Sequence, residues 1–302
     1  MRKGIRFTPA RLEKWRAAGR GTGTGSEYQP WHQVTRSDPG SRGRSHLIYW
    51  RFGRLHHFLS DQELVAFGFA SMLPNLVDLR EQFPLVYDEH VVELASYSVD
   101  RLNQTTPGTS AIAEALGLRH PVVRAGGVTL PWVMSTDILL TLSMPNGRQE
   151  LLAISVKHDD ELANVRTCEL LQIERDYWRQ QGVYWLLLTP KLYAPEVANT
   201  IRIAMPWTIG QPDVPAEWVD ACSSIGQELN GMTLTLALAL LSHRLNLAAG
   251  EAQRVLWQTI WSGRLPIDLC RNARSSAQIE VIPEELFWAQ NPISARRTTC
   301  LP

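Results

Sequence analysis

The sequence predicts a mixed α/β core followed by a mainly helical C-terminal region, and three observations carry that prediction. Between Thr136 and Thr189 the chain runs strand, turn, strand, helix, strand, the succession of a sheet covered by helices. After Pro190 the alternation of the strands gives way to helical spacing. The length of 302 residues, 44% of them apolar, suffices for about two domains of roughly 100–150 residues each.

The elements follow in order. Thr8-Pro9 opens a helix, with a hydroxyl cap before a first-turn proline. The run Gly19, Gly21, Gly23, Gly25 ends it. That run follows a helix rather than a strand, which argues against a dinucleotide site and for a flexible basic loop. His46 to Phe52 and Leu55 to Leu59 read as a hairpin turning at Gly53. Ser60-Asp61-Gln62-Glu63 starts a helix that runs to about Leu73, and Leu76 to Phe83 is a strand. Residues 88–120 read as helical, with a loop near Pro107. Thr136 to Ser143 and Glu150 to Lys157 are strands joined by a turn at Pro145-Asn146-Gly147. Asp159 to Gln181 reads as one long amphipathic helix, and Val183 to Thr189 as a strand buried on both faces. Helices follow near 195–204, 216–229, 233–245 and 249–261. Two short strands, Gly263 to Leu269 and Gln278 to Ile282, complete the outline of a winged helix. A small helical domain that contacts only protein fits the same outline.

Composition narrows the classes. No apolar run approaches the ~18–20 residues of a membrane span; the longest, Leu234 to Leu241, is broken by Thr235. The basic start lacks the apolar core and cleavage site of a signal peptide. Four cysteines without a CxxC pair suggest neither a zinc site nor a disulfide framework. A reducing bacterial-type cytoplasm is the setting expected. Eleven tryptophans read as core or interface anchors. Net charge is zero but uneven: residues 1–56 hold 12 Lys/Arg against 3 Asp/Glu, and the rest hold 18 against 27. A basic arm of this kind meets a polyanion or is a solvated tail.

The chemistry concentrates on the hairpin from Asp137 to Lys157. A turn near 146–147 places Asp137 almost opposite Lys157, with Ser155 and Lys157 on one face. A carboxylate that can hold a hard divalent cation beside an ammonium that can orient water suits phosphodiester hydrolysis. The pattern matches the PD-(D/E)xK signature of restriction-type nucleases, with Ser155 in place of the middle acid. A cross-strand salt bridge explains the same pair. Glu63 reads either as the acid of a Ser60-x-x-Glu63 capping box or as a metal ligand. Glu174, on the next helix, faces the site or pairs on the surface. His56 and His57 point to opposite faces of a strand and cannot both reach one metal.

One resemblance unites these features. Gly19-Arg-Gly-Thr-Gly-Thr-Gly25, Tyr28-Gln-Pro-Trp31, Gly43-Arg-Ser-His46, Gly53-Arg-Leu-His-His57 and Leu59-Ser-Asp-Gln-Glu63 occur in order. Asp78-Leu-Arg-Glu-Gln-Phe-Pro84, His120-Pro-Val122, Met134-Ser-Thr-Asp137, Val156-Lys157, Ile173-Glu174-Arg175 and Tyr177-Trp178 follow. Across about residues 17–190 the chain resembles the TnsA family, the endonuclease subunits of Tn-seven-like heteromeric transposases. The resemblance implies a restriction-endonuclease-like catalytic domain over 1–190 and a winged-helix-like domain over 191–302. It implies Mg²⁺-dependent hydrolysis (Mn²⁺ substituting) of one DNA strand at the 5′ ends of a transposon. Glu63, Asp137 and Lys157 take the catalytic positions, with Glu63, Asp137 and the Val156 carbonyl as metal ligands. Ser155 stands where relatives carry Gln, which weakens it as a ligand, and Glu174 is an additional candidate. The implied partners are end-bearing duplex DNA, a TnsB-like transposase that joins the 3′ ends and a TnsC-like AAA+ regulator. The arm would then grip DNA through Arg36, Arg42, Arg44, Arg51 and Arg54, or else dock on an acidic face of a partner subunit. A stand-alone restriction-type nuclease and a catalytically inactive DNA-binding assembly factor are the other classes the sequence allows.

Overall fold

The computed structural model describes residues 7–36, 38, 43–271 and 273–301. Helix α1 (Pro9–Ala17) is capped by the Thr8 hydroxyl, which accepts from the Arg11 amide. Strands β1 (His46–Trp50) and β2 (Arg54–Phe58) form an antiparallel hairpin turned by Phe52 and Gly53, both at positive φ. Helix α2 (Asp61–Ser71) follows its Ser60 cap, and β3 (Leu76–Pro84) enters the central sheet.

The expected helical stretch at 88–120 is largely not helical. A short pairing of β4 (His90–Val91) with β5 (Thr105–Thr106) brackets two single turns, and only α3 (Thr109–Ala115) is a regular helix. Close approach of the chain decides this. A Cβ on Gly108 would lie 2.3 Å from the carbonyl oxygens of Tyr87 and Asp88, so the segment folds back on itself. A second unanticipated hairpin follows, β6 (Val122–Ala125) with β7 (Val128–Pro131).

Strands β8 (Ser135–Ser143) and β9 (Gln149–Val156) lie where they were expected. The long helix does not begin at Asp159. Residues Asp159–Ala163 form a 3₁₀ turn, and Asn164 caps α4 (Val165–Gln180) by accepting from the Arg166 and Thr167 amides. An asparagine that offers its side chain to free amides starts a helix rather than continuing one. After β10 (Tyr184–Leu188) the central sheet is complete in the order β10-β9-β8-β3. β9 and β10 are parallel, and the other two pairings are antiparallel.

Side-chain alternation divides the sheet between two cores. Ile138, Leu140, Leu142, Leu152 and Ile154 pack with α2 residues such as Val65, Ala66 and Phe69. Leu139, Leu151 and Ala153 pack on the other face with Ile173, Tyr177 and Trp178 of α4. A third cluster joins Leu12 and Trp15 of α1 to Trp31 and Val123.

Helices α5 (Pro195–Ala204), α6 (Ala216–Ser224), α7 (Gly226–Leu229), α8 (Leu234–Leu245), α9 (Ala249–Trp261) and α10 (Glu284–Ala289) follow. Their apolar faces share one continuous core with α2 and the sheet, so packing does not stop at residue 190. Trp261 donates to Ser71 Oγ at 3.0 Å, and Asn291 donates to the Phe69 carbonyl at 2.8 Å. Thr299 donates to the Leu187 carbonyl, covering the β10 edge. The two expected ribbon strands reduce to an isolated Ile267–Val281 bridge with two flanking backbone hydrogen bonds. Pro266 and Pro283 bound this stretch, and proline has no amide to extend a ladder. Among the described residues no helix is long and apolar enough to cross a membrane.

One buried polar network ties the hairpin to the sheet. Arg54 donates to both oxygens of Glu81 at 2.8 and 2.9 Å and to the Leu79 carbonyl, while His56 reaches Glu81 at 3.0 Å. Arg54 is therefore not a DNA-facing arginine; its guanidinium is buried against a fully buried carboxylate. Burial alone would raise Glu81, but hydrogen bonds from His56 and Arg54 hold it down at about 2, against an ordinary 4.5. A depressed carboxylate contributes stability that is complete above its unfolded value and is lost as pH falls toward the folded one. Acid unfolding is therefore expected to draw on Glu81 between about pH 4.5 and 2. Arg54→Met leaves the carboxylate without its ion partner, should cost about 3–5 kcal/mol, and should move the acid transition upward. Urea titrations of both proteins across that pH range check this.

Candidate active site

The site is built where β8, β9 and α2 end near one another. The β8–β9 ladder runs from Ser143–Gln149 to Ile138–Ile154 and stops. This register, extended, sets Asp137 opposite Ser155 rather than Lys157, two positions from the sequence expectation. The lysine still reaches the aspartate. Asp137 Oδ2 accepts the Val156 amide at 2.7 Å and Lys157 Nζ at 3.0 Å, and the same ammonium lies 2.9 Å from the Val156 carbonyl. The cross-strand salt bridge and the candidate catalytic pair are thus one arrangement.

Asp137, Lys157 and Glu174 line a cleft of about 390 Å³ together with His32, Gln82 and Trp132. Glu63 stands behind the Gln82 wall. Its Oε2 accepts from the Leu59 amide and from Gln82 Nε2, both at 2.8 Å, and its Oε1 accepts from the Ser60 hydroxyl at 3.1 Å. Ser60 Oγ in turn accepts the Glu63 amide. Ser60 thus caps the helix as expected, but the glutamate returns its bonds to the Leu59 amide and the Ser60 hydroxyl rather than to the Ser60 amide, with Gln82 added.

Charge knits the cluster together. Burial and then the Asp137 charge push Glu63 up to about 8, against the pull of the Leu59 amide and Lys157. Burial and Asp137 likewise push Glu174 up to about 7. Burial would lower Lys157, but Asp137, Glu174 and Glu63 together hold it above its usual range. The ammonium is the counter-charge of three acids.

Ser155 does not face this cleft. It lies on the α4 side with Leu151 and Ala153, fully buried. Its hydroxyl donates to Glu174 Oε1 at 2.5 Å and accepts from Trp185 Nε1 at 2.9 Å. Thr136 donates to the same Glu174 oxygen and accepts from Trp178 Nε1, each at 2.7 Å. Glu174 is therefore positioned by two hydroxyls, one from each central strand.

The sequence reading missed His32, Gln82, Thr136 and the aromatic wall. Trp132 stacks on His32 with ring centroids 5.9 Å apart, and Trp15 and Phe7 meet the same imidazole edge-on. Burial lowers His32 to about 4, so the ring is neutral near pH 7. The available signal was Trp132 itself, five residues before Asp137. Gln82 gave no signal, because its role rests on a left-handed backbone, φ 51°.

Of the arm arginines, Arg36 and Arg51 are exposed, with Arg51 over the Trp50 ring. Arg44 is exposed and pairs with Asp61 at 2.8 Å. Arg42 lies outside the described residues. His57 Nδ1 accepts from the Val34 amide, and His56 is buried on Glu81, so both histidines are structural.

A metal can be tested against this donor set. Among the described residues no three acidic, histidine or cysteine side chains converge tightly enough to hold an ion by themselves. The converging donors are one Asp137 oxygen and the Val156 carbonyl, and a cationic nitrogen already lies within 3.0 Å of both. Hard oxygen donors few in number suit Mg²⁺, which is bound by one or two carboxylates with the remaining positions left to water and substrate phosphate.

Residues 74–190 match a family model described as the TnsA-like endonuclease N terminal. That segment holds Asp137, Lys157 and Glu174, while Glu63 precedes it. The Escherichia coli transposon Tn7 transposition protein TnsA is 36% identical over 197 residues, 65% of this chain and 62% of that protein. The match spans less than two thirds of the relative's length.

The Ser155 geometry yields a prediction. Ser155→Ala strands the Trp185 N–H and removes one Glu174 contact, which should cost about 1–3 kcal/mol of stability. Any DNA-cleaving activity should persist below the shifted melting point. Loss of cleavage with unchanged melting would place the hydroxyl at the reacting centre instead.

Proposed function

We propose that this chain is the DNA endonuclease subunit of a Tn7-like cut-and-paste transposition system, hydrolysing one strand at the 5′ ends of the element. The observation that carries the proposal is the Asp137–Lys157–Val156 cluster, a carboxylate and a backbone carbonyl bridged by one ammonium at the open end of two antiparallel strands. The TnsA-like match over residues 74–190 supports it. The sheet flanked by α2 and α4 then serves as a restriction-endonuclease-like scaffold.

In this reading Asp137 and the Val156 carbonyl would hold Mg²⁺, or Mn²⁺ in its place, which would polarise the scissile phosphate, and Glu63 would join them on release from Gln82 and the Leu59 amide. The chain's own residues do the rest. Lys157, kept charged by its acidic neighbours, offsets the phosphate charge and orients the attacking water. The attacking water gives up one proton as its oxygen bonds to phosphorus, the bond to the leaving strand oxygen breaks, and that oxygen takes up a proton from solvent, so the proton count is unchanged. Glu174, aimed by Ser155 and Thr136, keeps the ammonium and the water in line. The neutral imidazole of His32 closes the aromatic side of the cleft and limits access of bulk water.

A TnsB-like transposase acts on the 3′ ends, and a TnsC-like AAA+ regulator engages residues 191–302, whose α8–α9 pair and short bridge make a winged-helix-like module. Arg36, Arg44 and Arg51 of the basic arm contact phosphate without reading sequence.

Asp137→Ala should abolish 5′-strand cleavage, by about 10³-fold or more, while leaving folding and partner binding intact. The estimate is the scale of a lost electrostatic contact to the transition state. The 3′ joining reaction should continue and yield cointegrates in place of simple insertions. Transposition reconstituted with the partner proteins on end-bearing DNA measures both products, and normal double-strand excision by the variant would refute the assignment.

A further inference from the structure

We propose that the cleft between the β6–β7 hairpin and the first turn of α4 seats the phosphate backbone of the DNA flanking the cleavage position, through Arg119, Arg124 and Arg166. The inference rests on the nuclease reading above and adds a binding surface to it. The cleft is open, about 720 Å³, and its charged lining is those three arginines with Glu169. Glu169 already pairs with Arg166 at 2.7 Å. Arg119 and Arg124 are exposed, and neither guanidinium has an acidic partner among the described residues. Two positive charges are thus left uncompensated in one concavity. Nearer the N-terminus, Arg20, Arg44 and Arg54 are ion-paired, while Arg36 and Arg51 are exposed.

The cleft adjoins the candidate active site across helix α4. Arg166 and Glu169 line the cleft, while Thr167, Leu170 and Glu174 of the same helix line the catalytic pocket. Helix α4 is their common wall. Each strand of duplex DNA carries a phosphate about every 3.4 Å of helix axis, so a strand that reaches the pocket brings phosphates past the neighbouring concavity.

The hairpin is built to hold that position. Gly126 and Gly127 form its two-residue turn at φ 58° and 78°, a tight connection that only residues tolerant of positive φ make easily. Its base is pinned by buried Val123 against Leu12, Trp15 and Trp31. Trp132, just after β7, stacks on His32 in the catalytic pocket. Arg166 also donates to the Arg119 carbonyl at 2.6 Å, fixing α4 to the start of the hairpin. Arg124 and Arg119 are therefore held at a set offset from Asp137 rather than on a loose tail, and the contact is one of register. Phosphate contacts of this kind position DNA and carry no sequence information.

The test compares Arg119→Ala/Arg124→Ala, Arg119→Lys/Arg124→Lys and Asp137→Ala with the parent chain, each checked for an unchanged melting temperature. Binding to a duplex carrying a transposon end and its flank is measured by anisotropy from low to moderate salt. The alanine pair should lose at least tenfold in affinity and flatten the log–log salt slope by about 2, since each phosphate contact contributes about 0.9. The lysine pair should restore most of the slope, and footprinting should lose protection only beside the cleavage position. Asp137→Ala should keep the parent slope. An unchanged slope in the alanine pair overturns the proposal. So does retained DNA binding with lost co-purification of the transposase, which would make the cleft a protein-docking face. Failure of the nuclease reading has a different signature: the slope falls as expected in the alanine pair, yet the parent chain, reconstituted with the partner proteins, cleaves no strand.

Discussion

The contact on which the site depends is the Asp137 carboxylate, shared between the Val156 amide and the Lys157 ammonium. It lies where the β8–β9 ladder ends, so a side chain takes over from backbone pairing to hold two strand ends together. The same charge raises Glu63 and Glu174 and fixes Lys157 in its protonated form. Remove that carboxylate and the lysine loses its nearest counter-charge, while the two buried glutamates lose a repulsion. Burial raises both glutamates first, and the Asp137 charge adds to it.

That arrangement requires the sheet to break its own rule. Strict alternation would keep residues four apart on one face. Leu79 packs on the α2 side, yet Phe83 packs on the α4 side. The slip is absorbed at Gln82, whose left-handed backbone lets its amide reach Glu63. On β8 the partner position slips as well: Ile138 packs toward α2 while Thr136 bonds Glu174 on α4. Such local irregularities cluster at functional sites because they re-aim side chains that a regular strand would alternate. Here they let acids from helices on opposite faces of one sheet act on the same lysine.

The C-terminal helices are part of the same mechanical unit. A Cβ on Gly68 of α2 would lie 2.3 Å from Ile201 Cγ2 on α5, so the two helices touch through a position where only glycine fits. With Trp261 on Ser71 and Asn291 on the Phe69 carbonyl, the helix that carries Glu63 is clamped along its far side. Whatever binds the C-terminal helices therefore bears on α2 through packed side chains rather than across a linker.

Much of this was legible in the sequence, because it is written in local chemistry. Period-two and period-3.6 spacing located β3, β8, β9, β10 and the helices after 190, and caps at Thr8 and Ser60 marked helix starts. Asp137 and Lys157 stood out as the ends of a nuclease-type pattern because their spacing survives in one dimension, whereas Glu63 read also as a helix cap and Glu174 as a surface acid until the family resemblance singled them out. Tertiary structure alone decided which partner each side chain took. Arg54 carries the same charge in sequence as Arg51, yet burial beside Glu81 makes it a core residue. Ser155 sits two residues from Lys157, yet faces Glu174 and Trp185 on the other side of the sheet. Gln82 and His32 became site residues only through a positive φ and an aromatic enclosure. The physical reason is that periodicity records a residue's own backbone, whereas burial and electrostatic coupling are properties of neighbours that the chain brings together from 19 to 100 residues away.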